Sequence, residues 1–160
     1  MPDDAPWAQL EQALTHHRQR GRTLDVWWRD DDAVAATPHL DRLLALVQRH
    51  RIPLALAVVP AATDPSLPQR LAQEEAVRIL QHGWAHKNHA PPSEKKSEYP
   101  ADRDPAICLA ELRRGQDLLR QMFGSSYLPV LVPPWNRLGN RLAAALIPQL
   151  PAQGFIGLSG

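Results

Sequence analysis

Three of the chain's seven histidines fall within residues 82–89, in the run Gln81-His82-Gly83-Trp84-Ala85-His86-Lys87-Asn88-His89. Neutral imidazole is the commonest metal-binding side chain, and two of them a few residues apart can hold one first-row metal ion. A carboxylate partner stands upstream, in Asp30-Asp31-Asp32. Two histidines and one carboxylate leave positions on zinc open to water and substrate, the catalytic rather than the structural arrangement. A second carboxylate beside the ion could then act as general base. Two adjacent aspartates cannot both aim along one direction, so Asp31 and Asp32 divide these tasks. Each cluster alone reads equally well as a solvated turn or a polar loop. A metalloprotease helix also carries histidines at i, i+4, but with glutamate after the first. Here that position is Gly83 and the pair follows a strand, so that reading is set aside.

The flanking residues place both clusters at strand ends. Leu24-Asp25-Val26-Trp27-Trp28 reads as a strand running into the aspartates, and Val77-Arg78-Ile79-Leu80 as one running into the histidines. In a parallel α/β fold that end of the sheet is where ligands bind. A first helix spans 5–20, with Trp7, Leu10 and Leu14 on one stripe and Gly21 as its stop. Thr23–Trp28 is the first strand. Thr37 caps a helix opened by Pro38, with Leu40, Leu43, Leu44 and Val47 on its apolar face. Leu54–Val59 is an unbroken apolar run that suits a strand covered on both faces. A short helix at 67–76 leads to the third strand. Residues 87–104 form a long polar loop, a length usually functional or disordered. Asp104-Pro105 opens a helix to Phe123, stopped by Gly124. Leu128–Val132 is a strand, Arg141–Ile147 a helix and Phe155–Leu158 the start of a last strand. Alternation of strands with crossover helices gives an α/β fold with a mostly parallel sheet, open or curled into a barrel.

At 160 residues the chain suits one domain with a sizeable core. A net charge of +1 gives no electrostatic reason to expect nucleic acid or an anionic membrane. The single cysteine, Cys108, excludes an internal disulfide framework. Its spacing with Leu112, Gly115, Leu119 and Met122 makes it core filler on a helix. The acidic start, Met1-Pro2-Asp3-Asp4, is unlike a signal peptide, and no apolar run approaches the ~20 residues of a membrane span. The expected location is cytoplasmic.

Together the motifs resemble the polysaccharide deacetylase (NodB-homology) family. Arg29-Asp30-Asp31-Asp32-Ala33 is similar to its first motif, His82-Gly83-Trp84-Ala85-His86 to its second, and Val132-Pro133-Pro134-Trp135 to its third. They occur in the family's order, each at the end of a strand, across roughly residues 22–137. The resemblance implies a distorted (β/α) barrel of parallel strands. It also implies metal-dependent removal of N- or O-acetyl groups from an acetylated saccharide. Asp31 would be the base toward a metal-activated water, and Asp32, His82 and His86 would be the ligands of a divalent metal. Zinc is the expected ion, and other first-row metals fit as well. Trp135, with Pro134, Trp84 and His89, would line the substrate pocket.

Three positions depart from the family pattern. Ala33 stands where glycine is usual, Gly83 where a hydroxyl residue is usual, and Val132 where an arginine orients the base. Arg29 or Arg137 could substitute, though neither aligns. Motifs that include a general-acid histidine would lie beyond Gly160, so the chain reads as the N-terminal portion of the barrel, truncated. The alternative is that a second copy closes the uncovered edge of the last strand, making a homodimer. The rival reading is a non-catalytic carbohydrate- or metal-binding relative. His89 reads as an alternative ligand, a proton donor or a loop histidine bonded to backbone. Lys95–Tyr99 reads as solvated surface or a substrate lid. Trp27 and Trp28 point to opposite faces of a strand and are both expected in the core.

Overall fold

The computed structural model describes residues 5–23 and 27–159. Its elements are α1 (Ala5–Gln19), β1 (Trp28–Ala33), α2 (Pro38–His50), β2 (Leu54–Val58), α3 (Ser66–Leu71), β3 (Val77–His82), α4 (Pro105–Phe123), β4 (Tyr127–Val132), α5 (Asn140–Leu146) and β5 (Gly157–Leu158). The five strands form one sheet in the order β1-β2-β3-β4-β5, every pair parallel. Sequential order with a helix in each crossover is the (β/α) barrel pattern, and here the sheet is curled but not closed. No described helix is long and apolar enough to cross a membrane.

Alternation along the strands sorts the sheet into two faces. Leu54, Leu56 and Val58 of β2, with Val77 and Ile79 of β3, pack beneath Leu40, Leu44 and Val47 of α2 and Leu67 of α3. Leu131 of β4 packs with Cys108 and Leu112 of α4 and Leu142 and Leu146 of α5. The intervening residues, Ala55, Ala57, Leu80 and Val132, form a smaller cluster on the inner, concave face. The run Leu54–Val58 thus alternates by size, long residues toward the helices and alanines inside. Arg29 and His82 belong to this inner face by the same two-residue period.

Helix starts follow the sequence. Thr37 Oγ1 accepts from the Leu40 amide at 3.1 Å and Asp104 Oδ1 from the Ala106 amide at 2.9 Å, each followed by proline at the first helical position. Four expectations change. The first strand was expected at 23–28, with the aspartates in the loop beyond. Residues 24–26 lie outside those described, and the observed strand runs from Trp28 through the aspartates to Ala33, because Trp28, Arg29 and Asp30 pair with Leu54, Ala55 and Leu56. Trp27, expected in the core, is 57% exposed; Trp28 packs on the helix-side core. The Trp7, Leu10 and Leu14 stripe of α1 is exposed. The third helix ends at Leu71 rather than 76, where the Glu74 amide turns back to the Leu71 carbonyl.

Gln81, the residue before His82, ties the site strand to the helix layer. It is fully buried and donates to the Gly83 and Leu112 carbonyls at 2.9 and 3.0 Å, while Tyr127 Oη donates to its Oε1 at 3.3 Å. Gly115 of α4 lies so close that any side chain there would run into Gln81. Replacing Gln81 with leucine orphans the Gly83 carbonyl, so we expect a stability loss of about 1–3 kcal/mol in urea unfolding. No measurable loss would show that the network holds nothing.

Candidate metal centre

A strand normally sends adjacent side chains to opposite faces. β1 does not keep this rule at its end. Asp30 pairs with Leu56 and Ala33 with Val58, so three steps on β1 oppose two on β2. The extra residue is a bulge, and Asp32 within it has φ 68, the left-handed region. The bulge re-aims Asp32 toward β3. Asp32 Oδ1 lies 3.1 Å from His82 Nε2 and 3.1 Å from His86 Nε2. The three donor atoms lie within 4.8 Å of one another. Ligands on a tetrahedral ion with bonds of about 2.0–2.1 Å stand roughly 3.3 Å apart, so the spacing fits.

His86 reaches this point through a tight turn. Strand β3 ends at His82, Gly83 has φ 60 and His86 itself φ 52. The Trp135 ring packs on the His86 ring, centroids 4.3 Å apart, and Trp135 too is left-handed at φ 55. Such conformations cost non-glycine residues roughly 1–2 kcal/mol each and concentrate where geometry is functional.

The proton positions decide what the cluster can hold. His82 Nδ1 is 3.0 Å from the Val132 carbonyl, which only accepts, so the ring proton is assigned to Nδ1. His82 is buried, and burial pushes its pKa below the ordinary imidazole range, against the opposing pull of Asp31 and Asp32. With a proton on Nδ1, the Nε2 atom is the one that faces the Asp32 carboxylate oxygen, at 3.1 Å. A cation shared by the two atoms would satisfy both. The donor set, two imidazoles and a carboxylate, suits a divalent first-row ion.

Asp31 lies on the same face as Arg29, two residues before it. Arg29 Nε is 2.8 Å from Asp31 Oδ1 and Nη2 is 3.1 Å from Oδ2. The Nε contact is off the line of a hydrogen bond, so Oδ1 is buried without one. Arg29 Nη1 donates to Ser159 Oγ at 2.7 Å, a link from β1 to the residue after β5. Arg29 thus grips Asp31 although it does not align with the third-motif arginine. Arg137 instead donates to the Lys96 carbonyl at 2.9 Å.

The remaining sequence-predicted residues are dispersed. Pro134 is buried against Gly83. The Trp84 ring is covered by the Arg114 guanidinium, 5.0 Å from its centroid. His89 is exposed, stands outside the triad, and feels the charges of Arg103 and Glu111; burial and Arg103 lower its pKa. The run Lys95–Tyr99, expected as solvated surface or a lid, divides: Lys95 and Lys96 are exposed, but the rest turns inward. Ser97, Glu98 and Tyr99 are buried, and Glu98 accepts from the Trp84 and Ala85 amides at 3.1 and 2.6 Å. Burial raises the Glu98 pKa against the pull of those two amides. Sequence reasoning missed Glu98. Its only local signal is the neighbouring Tyr99-Pro100, an apolar pair inside a charged loop.

No family model matches the sequence, and no curated protein matches it. Solved structures do. A family 4 carbohydrate esterase from Streptomyces lividans, in complex with acetate, superposes with TM-score 0.59 at 18% identity, covering 84% of this chain and 61% of that one. A family 4 acetyl xylan esterase from Clostridium thermocellum, in complex with a cobalt ion, gives 0.56 at 13%, covering 84% and 57%. The peptidoglycan deacetylase PdaC from Bacillus subtilis gives 0.55 at 15%, covering 75% and 54%. The likeness is one of fold, the polysaccharide-deacetylase fold that the motifs implied. The chain spans between 54% and 61% of the length of these three structures.

Two substitutions test the geometry. His86→Ala should remove most bound zinc while leaving the fold intact, as read by equilibrium dialysis and circular dichroism. Asp32→Gly should also abolish binding, yet stabilise the metal-free chain by about 1 kcal/mol, because glycine takes φ 68 without strain. Destabilisation by Asp32→Gly would show that the carboxylate serves the fold rather than an ion.

Proposed function

We propose that this chain carries a divalent-metal hydrolase site that removes acetyl groups from an N- or O-acetylated saccharide. The observation that carries the reading is the convergence of three ligand atoms from two separate strand ends. Asp32 Oδ1 lies 3.1 Å from His82 Nε2 and 3.1 Å from His86 Nε2. An ion held by these three atoms, zinc or another first-row metal, supplies Lewis acidity that acidifies water near neutral pH and polarises an acyl oxygen.

The chain's own residues do the rest. Asp31, two residues after Arg29 on the same face and next to the ligand Asp32, takes the proton of the attacking water. Arg29 keeps that carboxylate fixed through two of its nitrogens, at 2.8 and 3.1 Å. Trp135, half-buried and packed at a tilt against His86, offers the apolar wall against which a sugar ring or acetyl methyl group can rest. A cleft of about 450 Å³ runs along edge strand β1 beside α2 and is lined by Asp31 and Asp32, but by neither triad histidine. The reading places the acetyl group at the triad, beside Trp135, with this cleft adjoining it. The solved structures of like fold include an acetyl xylan esterase and a peptidoglycan deacetylase, which supports acetylated polysaccharide as the substrate class.

The test is acetate release from N-acetylglucosamine oligomers and acetylated xylan by the zinc- or cobalt-loaded chain. Release should stop on chelation. Asp31→Asn should keep the metal and lower kcat by about 100-fold or more, since an amide cannot take the proton. Bound metal with no acetate from any acylated sugar would support the non-catalytic binding role.

A further inference from the structure

We propose that Glu98 is a positioning residue for the metal centre: its carboxylate occupies the side-chain space of residue 83 and clamps the turn that brings His86 Nε2 to Asp32. The inference rests on the metal reading of Asp32, His82 and His86.

Past His82 the β3 ladder ends, and the Trp84 and Ala85 amides have no strand to pair with. Glu98 is fully buried and reaches them from a loop 13 and 14 residues downstream, one oxygen on each amide. Left without an acceptor, each amide would cost about 1–3 kcal/mol where it is buried, and the turn could escape that cost by opening. Any Cβ at Gly83 would run into Glu98 Oε2 and the Pro134 ring. Glycine at 83 and glutamate at 98 are therefore a matched pair, one leaving the space that the other fills. A space-filling role alone would favour an apolar side chain, because burying a carboxylate is costly without strong donors. Only a carboxylate presents an acceptor to both amides; glutamine has one. The loop backbone is fixed in turn by Arg103, which donates to the Glu98 carbonyl at 3.2 Å and to Glu111 at 2.6 Å. His86, one residue past the second clamped amide, is left-handed; on the other side of the turn the Trp84 carbonyl accepts from the Ala61 amide at 2.9 Å.

The test compares wild type with Glu98→Ala, Glu98→Asp and Glu98→Gln. In the metal-free chain, amide exchange at Trp84 and Ala85 should quicken about tenfold or more in Glu98→Ala, with β2 and β3 unchanged. Cobalt(II) affinity should fall about tenfold or more in the Ala and Asp variants and less in Gln, which keeps the volume and one acceptor. Should Glu98→Ala not fold, Glu98→Gln carries the comparison. Wild-type affinity in a folded Ala variant, or in Gln where Ala is lost, overturns the proposal alone, as does unchanged exchange at both amides. Absence of cobalt uptake by the wild type overturns the metal reading and this proposal with it.

Discussion

Two adjacent carboxylates on one strand can serve a single site only if the strand's alternation is broken between them. The bulge at the end of β1 does this with one extra residue, and the left-handed backbone of Asp32 turns its side chain toward the histidines while Asp31 keeps the inner-face direction of Arg29. Everything else at the site depends on that break. Of the nine described residues with positive φ, Asp32, Gly83, His86, Trp135 and Asn136 lie here. Strain of this kind persists only where the surroundings over-determine it.

The surroundings are a sheet whose inner and outer faces do different work. The outer face buries long side chains under helices and supplies the cohesion. The inner face carries alanines on β2 beside Leu80 and Val132, and Arg29, Asp31 and His82 stand at its rim. Second contacts hold the rim in place. Val132 accepts from both His82 Nδ1 and the Gly83 amide, Arg29 holds Asp31, and Glu98 holds the turn between the histidines. The site thus joins the ends of β1, β3 and β4 through polar contacts over an apolar floor.

Much of this was legible in the residues. Apolar runs before His82 and between Leu54 and Val59 marked central strands, and Thr37-Pro38 and Asp104-Pro105 marked helix starts, because caps and burial are local signals. The bulge was not legible, since register depends on the partner strand. Ending the first strand at Trp28 also hid the Arg29–Asp31 pair; on a strand reaching Ala33, residues two apart share a face. The buried Glu98 was read as surface because its partners are amides 13 and 14 residues away, and nothing in a charged run announces them. The exposure of Trp27 and of the α1 stripe is likewise a tertiary fact that periodicity alone does not fix.

The most direct measurement is a crystal structure of the zinc- or cobalt-soaked chain with anomalous scattering at the metal edge. The account predicts one peak about 2.0–2.2 Å from Asp32 Oδ1, His82 Nε2 and His86 Nε2 together. A metal-soaked crystal with no peak between these three atoms, or with the ion held by other residues, would contradict it.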